Sequence, residues 1–160
     1  MSRRLEEHSD APWRGQIPRV HDPATEVELS ELERRCGQPL EISYREFLAT
    51  TNGMEHFYLD LSAFGTRDWP AGERVVDAID FGETLREIAL TQDVGLPQSV
   101  DMFPVAIDED STVGIFMINV EGVGERFWWV GNGDSMFFNG FLDIFSYTLD
   151  PSSIEPRSEV

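Results

Sequence analysis

Residues 24–53, ATEVELSELERRCGQPLEISYREFLATTNG, read as two short amphipathic helices joined by a Gly and Pro hinge. Leu29, Leu32 and Cys36 recur at steps of three and four residues, which stacks them on one helical face. Two start signals compete just upstream. Asp22 before Pro23 suits an N-cap with proline at the first helical position, while Thr25 with Glu28 fits a reciprocal capping box. Gly37 supplies the left-handed stop, so Cys36 is core filler on an apolar face. Beyond Pro39, Leu40, Tyr44, Phe47 and Leu48 trace a second apolar face. Asn52 and Gly53 tolerate positive φ and close that helix, a reading favoured over a hairpin because they follow a helical period.

What such a helix pair covers is read from the remainder of the chain. HFYLDL, from His56, alternates as a strand, and GTRDWPAGE is punctuated into a loop that exposes Trp69. FGETLREIAL places Phe81, Leu85, Ile88 and Ala89 on one face of an inserted helix. Three apolar runs follow, MFPVAI, VGIFMINV and RFWWV, and the middle run is apolar on both faces, as a strand covered on each side would be. Gly122 with Gly124, and Asn132 with Gly133, mark turns between strands, and SMFF is a further short strand. Phe141, Leu142, Phe145 and Leu149 recur at helical spacing, with Asn139 as the candidate cap. The order predicts an α+β fold: an N-terminal helix pair packed on a twisted, mostly antiparallel sheet, with an inserted helix and a C-terminal helix. Residues 1–21 read as an irregular arm that Trp13 and Ile17 could dock, residues 22–149 as a single domain, and residues 150–160 as a frayed polar tail.

The 160 residues and 11 Phe are enough for one core. Against 30 acidic residues stand 12 basic ones, all Arg, for a net charge of -18. A field of that sign repels phosphate backbones and anionic headgroups, so nucleic acid and anionic membranes are excluded as partners and basic proteins are favoured. Solubility alone is the competing reading of the acidity. No run approaches the ~18 apolar residues of a membrane span. The opening MSRRLEEHSD has no apolar signal core, and the lone Cys36 leaves no intramolecular disulfide, so the expected address is a reducing cytoplasm.

Candidate chemistry is sparse. His8, His21 and His56 lack ligand-pair spacing, and a single cysteine excludes a cysteine-based zinc cluster. Asp108, Glu109 and Asp110 invite comparison with a calcium loop, but the sixth position from Asp108 is Val113 and the twelfth is Asn119, where Gly and Glu are needed. GNGDS is followed by neither a helix nor Lys, and Asp134 would repel phosphate. No catalytic residue, metal site or cofactor is therefore assigned, and the chain is expected not to be an enzyme.

The distribution of acids carries more. Asp108, Glu109 and Asp110 end one strand, Glu121 and Glu125 flank a hairpin, and Asp134 ends the aromatic strand, so a meander could gather them into an acidic rim. Trp69, or one of Trp128 and Trp129, would supply an apolar anchor for a protein partner, because adjacent strand residues face opposite ways. The competing reading buries both Trp128 and Trp129 in a sheet covered on two sides.

The stretch ELERRCGQPLEISYREFLATTNG resembles the start of the SUKH superfamily, the Smi/Knr domain, in Gly37, Leu40, Tyr44, Phe47, Leu48, Asn52 and Gly53. Glu41 stands where that pattern has proline, with Pro39 one place before Leu40. MFPVAIDEDSTVGIFMINV is similar to the family's Phe-Pro strand, acidic turn and central strand, with Ser111 and Thr112 where the common turn has Gly beside Asp. FNGFLDIFSYTL is similar to its closing helix. The resemblance spans roughly residues 24–149 and implies the helix pair, sheet and terminal helix described above. It also implies a non-enzymatic binding role. Many bacterial members resemble immunity proteins that neutralise polymorphic toxins, often nucleases, while fungal relatives act as regulatory modules. The expectation is an immunity protein that covers a basic toxin surface with Asp108, Glu109, Asp110, Glu121, Glu125 and Asp134. A regulatory or scaffold module that binds an endogenous protein is the alternative.

Overall fold

A computed structural model describes residues 17–160. Helix α1 (Glu26–Cys36) begins at Thr25, not at Asp22. Glu28 N donates to Thr25 Oγ1 at 3.2 Å and Thr25 N donates to Glu28 Oε2 at 2.8 Å, so the capping box decides between the two start signals. Asp22 serves differently: its carbonyl accepts from Asn52 N, lacing the approach to α1 along the end of α2 (Ile42–Thr50). Gly37, at φ 67, ends α1 as expected.

Strands β1 (Arg19–Val20), β2 (Met54–Tyr58), β3 (Leu61–Ala63), β4 (Phe103–Ile107), β5 (Val113–Met117), β6 (Phe127–Gly131) and β7 (Asp134–Phe138) form one antiparallel sheet in sequence order. Between β3 and β4 lie a 3-10 turn (Thr66–Asp68), α3 (Glu73–Glu87) and the short α4 (Leu90–Asp93), and α5 (Phe141–Leu149) follows β7. The α+β class, the N-terminal helix pair, the inserted helix and the closing helix read from the sequence are found, with β1 ahead of α1 and the short α4 added.

Alternation along the strands divides the interior into two main layers. Ile115, Met117, Phe127 and Trp129 face α1, α2 and α5, where Leu29, Tyr44, Leu48, Phe141 and Ile144 meet them. Phe116, Ile118, Trp128 and Val130 face the other way, onto Leu85 of α3 and onto Val94 and Leu96 beyond α4. Burying each such side chain is worth about 1.5–3 kcal/mol. Trp128 and Trp129 are both buried, so neither is a partner anchor. Helix α3 approaches the sheet closely because two glycines permit it. A Cβ on Gly82 would sit 3.1 Å from Phe116, and one on Gly114 would sit 3.1 Å from Phe81.

Several sequence expectations are corrected. Helix α3 starts at Glu73, inside the segment read as a loop, because Pro and Gly end at residue 72 and Val75 and Ala78 are then buried. Gly53 takes positive φ, but Asn52 does not. Asn52 is instead buried, donating to Thr66 Oγ1 at 2.8 Å and accepting from Thr66 N at 2.7 Å, which fastens the segment after β3. Asn139 does not cap α5. That duty falls to Glu41, the N-cap of α2, and to Ser43 in its first turn: Phe141 N donates to Glu41 Oε2 at 3.1 Å and Leu142 N to Ser43 Oγ at 3.0 Å.

Both chain ends also depart from expectation. Arg19 and Val20 of the arm pair with Glu55 and Met54 as an edge strand, and Ile17 is exposed where docking was expected. Trp13 and His8 lie outside the described residues. Residues 150–160 are not frayed. Phe137 N donates to the Arg157 carbonyl at 2.8 Å and Val160 N to the Val94 carbonyl at 2.8 Å, so the tail partly covers the β7 edge.

Candidate functional site

In a meander, alternate turns share one end of the sheet. The β2–β3, β4–β5 and β6–β7 turns therefore meet, as the pairings Tyr58 with Leu61, Ile107 with Gly114, and Gly131 with Asp134 require. Each turn is built for a sharp reversal. Leu59 has φ 54, Ser111 has φ 56, and Asn132 and Gly133 have φ 50 and 83, the pattern of a two-residue type I′ hairpin.

The β4–β5 turn is organised by Asp108. Its carboxylate accepts from Thr112 N at 2.7 Å, Thr112 Oγ1 at 2.7 Å and Val113 N at 3.0 Å, and the residue is buried. Arg74 of α3 reaches over from outside the sheet, donating to the carbonyls of Asp108 and Glu109 while pairing with Asp77 at 3.2 Å. The turn is thus a fixed platform on which Glu109 and Asp110 point outward, both exposed. Asp134 is exposed on the neighbouring hairpin. Asp60, on the β2–β3 turn, accepts from Glu109 N at 3.4 Å.

Two depressions flank Asp60. A groove of about 320 Å³ runs between Tyr58, Asp60, Asp110, Trp129 and Asp134. A larger cleft of about 600 Å³ opens between β2, the 3-10 turn and α3, lined by His21, His56, Asp60, Arg67, Arg74 and Glu109. Most charges in the larger cleft are already paired. Arg67 donates to Glu28 at 3.0 Å, Glu55 lies 3.4 Å from Arg19, and Asp68 accepts from Gly65 N at 2.7 Å. Asp60 and Glu109 remain the least neutralised acids there.

The sequence-predicted site residues therefore divide. Glu109, Asp110 and Asp134 are brought together and stay exposed. Asp108 reaches the same end but its oxygens are spent inside the turn, so it supports the surface and does not present to a partner. Glu121 and Glu125 belong to the opposite end, on the β5–β6 connection. Glu121 is exposed there. Glu125 is held by Arg157, whose Nε and terminal nitrogen each donate at 2.7 Å, and this keeps its carboxyl below the usual carboxylate range. Trp69 is half-buried and stacks on Phe103 with centroids 4.4 Å apart and planes 15° apart. Its ring closes a core layer and is not the free anchor expected from its loop.

Asp60 and His56 were not singled out from sequence as members of this surface. Asp60 falls in LDLSAF without turn punctuation, so its place became visible only with the Tyr58 to Leu61 pairing. His21 and His56 share the cleft across a separation that no local spacing reveals. Among the described residues, no group of three or more His, Cys, Asp or Glu side chains is arranged to hold a metal ion. Cys36 is buried, donates to the Gln38 carbonyl at 2.9 Å, and has its thiol pushed up by burial. No helix among the described residues is long and apolar enough to cross a membrane.

Comparison with protein-family models and with curated proteins finds no match for the chain. The class defined by fold and site is an α+β domain, helices on both sheet faces, presenting acidic turns at one sheet end.

Proposed function

We propose that the protein is a binding module of the SUKH type, an immunity protein that neutralises a basic toxin domain through the end of the sheet carrying Asp60, Glu109, Asp110 and Asp134. The observation that carries this reading is the convergence of three turns, each presenting exposed or partly exposed carboxylate, on a chain of net charge -18. Carboxylates fixed on short hairpins lose little entropy when a partner arrives, and their summed field speeds encounter with a cationic surface. The acids occupy sites that a nuclease would otherwise offer to substrate phosphates. Inhibition follows from occupancy alone, without turnover.

The test is to purify the protein with the product of each gene next to its own, then assay each product's toxicity with and without it. The expected result is a basic domain that binds with steep salt dependence and loses its activity at stoichiometric ratio. Binding to a host regulator, with no neighbouring product inhibited, would sink the immunity reading and favour a regulatory module.

A further inference from the structure

The larger cleft holds a histidine whose position the binding reading does not use. His56 lies in β2 with φ 52, at the irregularity between the Met54 and Tyr58 pairings, and its backbone N donates to Ser62 Oγ at 3.0 Å. Its side chain is 24% exposed, and Nδ1 is enclosed with no hydrogen-bond partner. Glu109 Oε1 stands 4.0 Å from that nitrogen. A neutral imidazole brings no charge to this position, whichever ring nitrogen holds its hydrogen, whereas a protonated one carries an N–H on Nδ1 and a positive charge that draws the nearby carboxylate inward. Glu109, with its side chain 53% exposed, can close the remaining gap by rotating.

Besides Glu109 on the β4–β5 turn, the charges around His56 come from five directions. His21 follows β1, Glu55 is its neighbour on β2, and Asp60 sits on the β2–β3 turn. Arg67 and Asp68 come from the 3-10 turn, and Arg74 from α3. Both arginines are engaged elsewhere, Arg67 with Glu28 and Arg74 with Asp77 and two carbonyls. Glu55 is near Arg19 and Asp68 is bonded to Gly65 N. Glu109 and Asp60 thus dominate the field that a proton on His56 would meet.

We propose that His56 and Glu109 form a proton-operated charge switch at the mouth of the cleft, so that a proton on His56 lowers affinity for a cationic partner. When His56 is neutral, Glu109 stands free beside Asp60, Asp110 and Asp134 and adds to the acidic end. When His56 takes a proton, Glu109 turns inward to pair with it, and the surface loses one available carboxylate while gaining one positive charge. By linkage, a bound cationic partner opposes protonation, so binding at mildly acidic pH expels protons. This inference rests on the acidic-end reading and adds its regulation.

The experiment titrates the full chain with a deca-arginine peptide by calorimetry at about pH 7.5 and about pH 5.5, at constant low ionic strength. The expected affinity ratio is about fivefold in favour of the higher pH, and about twofold or less in His56→Asn, since Asn accepts a left-handed φ. Glu109→Gln, on an exposed turn, provides an independent flattening of the ratio if His56→Asn does not fold. A wild-type ratio retained in either folded variant overturns the switch while leaving the acidic-end reading intact. Failure of the wild type to bind the peptide at the higher pH overturns the acidic-end reading and the switch with it.

Discussion

At the end of the sheet where β5 runs into β6, Glu125 is clamped by Arg157, and Arg126 donates to the carbonyls of Ile118 and Pro39 and to Gln38. Beside them Glu41 caps α2 and α5 together. At the other end, Glu109, Asp110 and Asp134 stand on turns with their carboxylates turned to solvent. Identical chemical groups thus do different work. Where donors surround the oxygens, a carboxylate ties distant segments and contributes stability; where water surrounds them, it contributes only field. Charge count alone does not locate a binding surface.

Asp108 is the hardest test of that division, because it lies at the open end yet is bonded like the closed one. Asp108→Ala leaves Thr112 N, Thr112 Oγ1 and Val113 N without their acceptor. A loss of about 3 kcal/mol is expected in chemical denaturation, with the slope of the transition unchanged. A joint Ser replacement of Asp108, Glu109 and Asp110 therefore mixes one structural residue with two presented ones. A loss under about 0.5 kcal/mol for Asp108→Ala would show that the turn holds without its carboxylate.

Glu41 comes next, since it satisfies orphan amides at the starts of two helices. Glu41→Ala is expected to cost about 2 kcal/mol by denaturation. Its pH signature carries a definite sign. Burial opposes ionisation of Glu41, but the Ser43 hydroxyl and the amides of Phe141, Ser43 and Tyr44 outweigh it and hold the carboxyl below its ordinary range. A carboxyl depressed in the folded state contributes stability above its unfolded value, near about 4.3, and that stability drains as pH falls through the folded value. Wild-type stability should therefore decline through this acid window more steeply than that of Glu41→Gln, as read from midpoints across a pH series.

How much of this was legible beforehand follows from the range of each interaction. The capping box at Thr25 and Glu28, the Gly37 stop and the doubly apolar central strand lie within a few residues of themselves, so periodicity and turn chemistry display them. Glu41 and Phe141 are 100 positions apart, and only the tertiary fold makes one the cap of the other's helix. The tail failed for a related reason. A polar composition predicts solvation, yet two of the tail's bonds to the body use the backbone of Arg157 and Val160, which composition does not describe. Asp108 was the nearest miss: an Asp ahead of Ser-Thr at a strand end is a plausible Asx-type turn, and that signal speaks for an inward carboxylate.

The clamp at Glu125 sharpens the closed end by a smaller amount. Glu125→Gln keeps the shape but removes the charge that Arg157 grips, loosening the tail from the β5–β6 connection. A loss of at most about 1 kcal/mol is expected, because the guanidinium side is open to water and salt. Hydrogen exchange at the Phe137 amide, which donates to the Arg157 carbonyl, should rise before global stability changes. No rise there would mean that the backbone bonds hold the tail by themselves.

The smallest stability effect belongs to the open end, and there it is the most informative. Asp110 and Asp134 are exposed, and their side chains accept no hydrogen bond among the described residues, so replacing both with Ser removes charge without breaking a bond. The midpoint of denaturation should shift by no more than about 0.5 kcal/mol, and relief of mutual repulsion could make the shift favourable. Association with labelled deca-arginine should slow several-fold at low salt, and the difference should fade as the screening length contracts toward about 3 Å in 1 M salt. Charge at a distance acts on encounter, so a rate effect that disappears with salt identifies these residues as sources of field. An effect that persists in high salt would instead assign them direct contacts. A lost fold would mean that the open end, like the closed one, uses its carboxylates to hold the chain together.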